Sequence, residues 1–172
     1  MNARGLAEKF GMLSVGEVDL LQTLVKQLPP DPVIVNIGAN IGTGSVAFLE
    51  ARPDAFILSI DKRPCPDELK HVHEAGLETK RCIRILAKSQ FVGQFWPWMV
   101  DMVFVDGDHS DNAVRGDIVA WRPMIKQGGF MIFHDYKHPN LPRLTPIVDR
   151  MMRGYPVVGE ERYMIAYQME TP

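Results

Sequence analysis

The stretch Val35-Asn36-Ile37-Gly38-Ala39-Asn40-Ile41-Gly42-Thr43-Gly44-Ser45 joins a β-branched run to a helical one through three glycines. Their order is G-x-x-x-G-x-G. Glycine tolerates positive φ and lets a ligand approach the backbone closely. The dinucleotide fingerprint, G-x-G-x-x-G, has a different order, and a P-loop would need Lys where Gly44 stands. Both phosphate-cradle readings lose ground, and a strand, a glycine turn and a helix remain. Upstream, Val33-Ile34-Val35 is the strand. Downstream, Ser45 to Glu50 is the helix body, and Ala55 to Ile60 is a second buried strand closed by Asp61.

The alternation continues on both sides. Ser14 to Leu28 reads as a helix, because Ser14 and Glu17 have capping-box spacing and Val18, Leu21, Leu24, Val25 and Leu28 follow at helical spacing. Pro29, Pro30 and Pro32 stop it. Asp67 to Ala75 reads as a helix, Cys82 to Leu86 as a weak strand and Met102 to Val105 as a strong one. A helix capped by Ser110 or Asp111 runs to about Ile125, with Val114, Ile118, Trp121 and Ile125 on one face and Gln127-Gly128-Gly129 as its stop. Phe130 to Phe133 is a fifth strand, Leu144 to Met152 a helix, and Pro156 to Val158 and Met164 to Tyr167 two closing strands. Strands alternating with helices give an α/β fold, doubly wound around a mostly parallel sheet.

In such sheets ligands bind beyond the carboxyl ends of the strands. Asn36, Asp61, Asp106, Asp108, His109, His134 and Asp135 all sit at or just past predicted strand ends, so they converge on one rim. Asp61 follows Gly38 by 23 residues, and a carboxylate there can accept both hydroxyls of a ribose. Asp106 and Asp135 end two neighbouring strands. With strands ~4.8 Å apart, their carboxylates could chelate one cation. The competing reading of Asp106-Gly107-Asp108 is a turn whose acids cap the next helix. His71 and His73, with Glu68 and Glu74, read as a solvated helix face. Phe95, Trp96 and Trp98 read as core, with stacking on a base as the alternative, and Trp121 as core.

Composition narrows the class. The 172 residues, 46% apolar and 23% charged with a net charge of −2, fit a single folded domain (1–172). No cationic field suits nucleic acid, and no apolar run is long enough to span a bilayer. The N-terminus lacks the apolar core of a secretory signal. Cys65 and Cys82 cannot make a disulfide framework, so a cytoplasmic setting is expected. Residues 1–30 form an N-terminal helical segment, in which Leu6 to Leu13 could serve as a lid or a homodimer contact.

Asn36 to Gly42 followed by Asp61 resembles the S-adenosylmethionine site of class I methyltransferases. Together with Asp106-Gly107-Asp108-His109-Ser110 and Gly128-Gly129-Phe130-Met131-Ile132-Phe133-His134-Asp135-Tyr136, it resembles the metal-assisted O-methyltransferases of sugars and macrolides. The resemblance covers Asn36 to Tyr136. It implies a seven-stranded sheet of order 3-2-1-4-5-7-6 with an antiparallel last strand. It implies cofactor contacts at Asn36, Gly38, Asn40, Gly42, Ser45, Asp61, Ser89 and Asp106, and a divalent cation, Mg²⁺ first and Mn²⁺ second, at Asp106, His134 and Asp135. Asp106, Asp108, His109 and His134 are then the catalytic candidates, and the acceptor is a small hydroxylated molecule. Two departures stand out: Asn36 replaces the usual Glu or Asp, and His134 occupies a usually acidic position. The alternative is a cofactor-binding module that needs a partner subunit for catalysis.

Overall fold

The structure, a computed structural model, describes residues 1–170. Two short helices open the chain, α1 (Ala3–Phe10) and α2 (Val15–Val25). Strands and helices then alternate: β1 (Val33–Ile37), α3 (Thr43–Ala51), β2 (Phe56–Asp61), α4 (Pro66–Glu74), β3 (Cys82–Leu86), α5 (Ser89–Phe95), β4 (Val100–Val105), α6 (Asp111–Trp121) and β5 (Ile125–Phe133). Helix α7 (Leu144–Met151) leads to β6 (Val157–Glu161) and β7 (Met164–Gln168).

The seven strands form one sheet in the order β3-β2-β1-β4-β5-β7-β6, as expected. β1 to β5 pair in parallel, and β7 lies antiparallel to both β5 and β6. The chain therefore starts at the middle of the sheet, winds to one edge, and returns across β1 to wind to the other. Each face carries its own core. Leu6, Leu21, Phe48 and Phe104 belong to one, and Leu58, Ile118, Trp121 and Phe133 to the other. This two-sided burial is why the parallel strands read as unbroken apolar runs rather than alternating ones.

The capping box is present: the Glu17 backbone N–H donates to Ser14 Oγ, and the Ser14 N–H donates to Glu17 Oε2 at 2.7 Å. Helix α2 is shorter than its apolar spacing suggested, ending at Val25. The larger departure concerns Ile125. The helix expected to reach it ends at Trp121, a 3-10 turn spans Arg122–Met124, and Ile125 opens β5. Pro123 has no N–H to continue the helix, and the buried Ile125 satisfies a helical and a strand pattern alike. Gly128 and Gly129 do not stop a helix. They lie where β5 shifts register against β4, between the pairs Val100–Ile125 and Met102–Phe130. A Cβ on Gly129 would come within 2.4 Å of the Asp101 carbonyl oxygen. Helix α5 was not anticipated. Among the described residues, no helix is long and apolar enough to cross a membrane.

Candidate active site

The ladder hydrogen bonds continue one residue past several strands and so fix the rim. Gly38 N–H donates to the Ile60 carbonyl at 2.9 Å, Asp106 N–H to Ile37 at 2.8 Å, and His134 N–H to Val105 at 3.0 Å. Gly38 takes φ +92°, and a Cβ there would fall 2.1 Å from the Asp106 carbonyl oxygen. Only glycine lets the loop cross so close to the end of β4. Asp135 holds φ +59°, a left-handed conformation that costs a non-glycine residue free energy.

Along this rim lies a cleft of about 990 Å³. That is room for a nucleoside cofactor and a second molecule, against a usual range of roughly 300–1,000 Å³ for small-molecule sites. Nine of the expected residues line it: Gly38, Asn40, Asp61, Ser89, Asp106, Asp108, His109, His134 and Asp135. Asn36 faces a smaller recess beneath the glycine loop. Gly42 and Ser45 do not line the cleft. Gly42 backs onto Glu68 of α4, and Ser45 is fully buried between Asn36 and Glu68.

At one end, the Asp61 carboxylate accepts from the Arg63 N–H at 2.8 Å and the Asn40 N–H at 3.4 Å, which ties the second strand end to the loop. Next to it, Ser89 Oγ and Gln90 Nε2 donate to Asp117, a buried residue of α6. Burial pushes the Asp117 carboxyl up to about 6, against the pull of those two donors. The Trp121 indole N–H holds the Ser89 carbonyl at 3.1 Å.

At the other end, His134 is enclosed by carboxylates. Its Nδ1 lies 3.1 Å from Asp106 Oδ1 and 3.3 Å from Asp135 Oδ2, and its Nε2 lies 3.4 Å from Glu17 Oε1. Burial disfavours the imidazolium, but the three acids outweigh it and push the ring up to about 12. Burial also raises Asp106, whereas hydrogen bonds from His109 and His134 overcome burial at Asp135 and hold it well below the usual carboxylate range. His109 Nε2 lies 2.8 Å from Asp135 Oδ2, and that contact raises its pKa. Asp108 is engaged elsewhere. It pairs with Lys62 at 2.7 Å and accepts from the Ser110 N–H, and both hold it well below the ordinary range.

One donor atom each from Asp106, His134 and Asp135 lies within 4.8 Å of the others. Ligands around a cation of ~2.1 Å bond length stand about 3–4 Å apart, so a small contraction would close this set on one ion, with His134 ligating in its neutral form. These three residues are a group that could hold one metal ion.

Sequence reasoning missed Glu17, Glu68, Gln90 and Asp117. Glu17 was legible only as a cap, yet it also accepts from the Tyr163 N–H and faces His134. Glu68 and His71 are not solvated: both are buried, and only His73 and Glu74 of that helix face are exposed. Their spacing resembles a polar helix face because the groups they meet come from the loop and from β2. Phe95 and Trp98 are neither core nor cleft; both are about two-thirds exposed. Trp121 is core, as expected. Leu6 and Leu13 are buried in the chain's own core, while Gly11 and Met12 between α1 and α2 line the cleft.

The family model for a methyltransferase domain matches residues 35–136, the segment from the glycine loop through both acidic strand ends. Solved structures share the fold at low identity. A Corynebacterium glutamicum protein is 17% identical with a TM-score of 0.78, covering 99% of this chain and 88% of its own. An S-adenosylmethionine-dependent O-methyltransferase from Thermotoga maritima is 12% identical with a TM-score of 0.74, covering 100% and 72%. The TDP-rhamnose 3'-O-methyltransferase of calicheamicin biosynthesis is 15% identical with a TM-score of 0.67, covering 88% and 76%. With the family's match spanning more than half of the chain and centred on the cleft-lining strand ends, this protein belongs to the S-adenosylmethionine-dependent methyltransferases.

Proposed function

We propose that the protein methylates a hydroxyl oxygen of a small molecule, with Asp106, His134 and Asp135 holding a divalent cation, Mg²⁺ or Mn²⁺. The observation that carries this reading is the shared cleft, which has Asp61 beside the glycine loop and Asp106, His134 and Asp135 at its far end. Neighbours named as O-methyltransferases, one acting on a sugar nucleotide, favour oxygen as the acceptor atom.

S-adenosylmethionine, when bound, supplies an already activated methyl group on a sulfonium. The cation, when bound, lowers the pKa of the acceptor hydroxyl and orients it. The chain's own residues position both partners and manage the proton. Asp61 accepts the ribose hydroxyls, with its carboxylate held in place by Arg63 and Asn40. Ser89 and Gln90, braced by Asp117, border the place for the base. With its Nε2–H held by Asp135, His109 takes the hydroxyl proton at Nδ1, and Asp135 stabilises the imidazolium that results. Asp108 is a weak base because Lys62 and Ser110 hold it ionised, so its part is to fix the loop that carries His109.

Calorimetric titration with S-adenosylhomocysteine, with and without Mg²⁺ or Mn²⁺, tests the reading. Binding by the wild type and at least tenfold weaker binding by Asp61→Ala are expected, since a charged hydrogen bond is worth about 1.5–3 kcal/mol. Asp106→Asn retains cofactor binding within a few-fold and loses transfer. An absence of binding under either condition refutes it. Tight binding without transfer to any hydroxylated acceptor would instead favour a partner-dependent module.

A further inference from the structure

Beneath the glycine loop is a recess of about 20 Å³, lined by Asn36, Gly38, Thr43, Phe104 and Asp106 among others. A void needs roughly 10–15 Å³ to admit a water-sized group, so this one accepts a single such group. Asn36 and Thr43 are almost wholly buried, and Asn36 Oδ1 and Thr43 Oγ1 have no hydrogen-bond partner. Buried polar atoms left unpaired are uncommon, and two beside one small recess point to a ligand group that pairs with them.

The orientation of Asn36 has a cause outside the loop. Asn36 Nδ2 donates to Ser45 Oγ at 3.0 Å, and Ser45 Oγ donates to Glu68 Oε1 at 2.6 Å. Ser59 Oγ, at 2.6 Å, and Cys82 Sγ donate to the same carboxylate oxygen. A hydroxyl has one hydrogen. Glu68 takes that of Ser45, so Ser45 can only accept from Asn36. The amide must then present its N–H to Ser45, which leaves its oxygen as the free acceptor.

We propose that Glu68 is a positioning residue for the methionine end of the cofactor. Through Ser45 it fixes the polarity of the Asn36 amide, so that Oδ1 receives the cofactor's ammonium group in the recess. The proposal rests on the cofactor assignment above. It explains why an uncharged Asn36 suffices at a strand end where an acid is the usual choice. The carboxyl group stands instead on α4 and acts through a hydrogen-bonded chain.

The test compares two ligands by calorimetry: S-adenosylhomocysteine, which carries the ammonium group, and methylthioadenosine, which lacks the whole amino-acid end. In Glu68→Met the Ser45 hydroxyl is free to donate to Asn36, and the amide can turn. Affinity for S-adenosylhomocysteine should fall about tenfold, the loss of one charge-assisted hydrogen bond, while that for methylthioadenosine stays within twofold. Adding Asn36→Asp to Glu68→Met should restore S-adenosylhomocysteine binding, because a carboxylate offers an oxygen in either orientation. If Glu68→Met does not fold, Ser45→Ala breaks the chain at its centre and should show the same selectivity. Parallel loss for both ligands, or no loss for either, overturns the proposal. Wild-type protein that binds neither ligand would instead overturn the cofactor assignment, and this inference with it.

Discussion

Gly38 is the residue on which the site's geometry turns. Its φ of +92° and its contact with the Asp106 backbone leave no room for a side chain. Gly38→Ala should therefore destabilise the protein by about 3 kcal/mol or more, read as a lower urea midpoint at unchanged slope. A variant as stable as wild type would show that the loop moves freely. Asp61, Asp106 and Asp135 were legible in combination, Asp61 beside the glycine loop and the other two as a pair of acids ending two strands. Glu17 and Glu68 were not. Each sits at a spacing that local chemistry already explains, a capping box in one case and a polar helix face in the other. Their partners, His134 and Ser45, come from remote segments.

At the scale of elements, α5 and α6 meet through Asp117, which braces Ser89 and Gln90 from below. Its carboxyl, at about 6 in the fold, lies above the ordinary 3.8. A raised carboxyl stabilises the fold below pH about 4, and this contribution is lost as pH rises through about 6. Asp117→Asn removes the titration. Its stability relative to wild type should rise by about 2–3 kcal/mol between pH 4 and pH 7 and stay level above, as followed by urea unfolding across that range. A flat difference would mean that Asp117 does not titrate there. The β4–α6–β5 segment shows where pattern reading misplaces an element. Ile125 fits the apolar face of α6 by spacing, and only Pro123 argues that the helix has ended. The boundary fell to backbone chemistry, which apolar periodicity does not record.

For the molecule as a whole, the winding of the sheet brings five strand ends, those of β1 to β5, to one cleft, so ligands that use several of them should stabilise the entire fold. S-adenosylhomocysteine at about 100 times its dissociation constant should add about 2.7 kcal/mol, roughly 5–10 °C in Tm for a chain of this size. A chelator should abolish methyl transfer while leaving most of that shift, and Mn²⁺ or Mg²⁺ should restore transfer. Transfer that survives exhaustive chelation would remove the cation from the proposed chemistry and leave His134, enclosed by Asp106, Asp135 and Glu17, as the cation of the site.

The strand-and-helix alternation, the glycine turn and the acidic strand ends were determined by sequence alone. Each rests on local physics: apolar periodicity, the positive φ open to glycine, and the improbability of carboxylates ending buried strands without a task. Tertiary structure decided which charges meet. The enclosure of His134 by three acids, the brace of Asp117 under Ser89 and the chain from Glu68 to Asn36 join residues from separate elements. Such contacts depend on how helices pack against the sheet, and no spacing along a single segment encodes that.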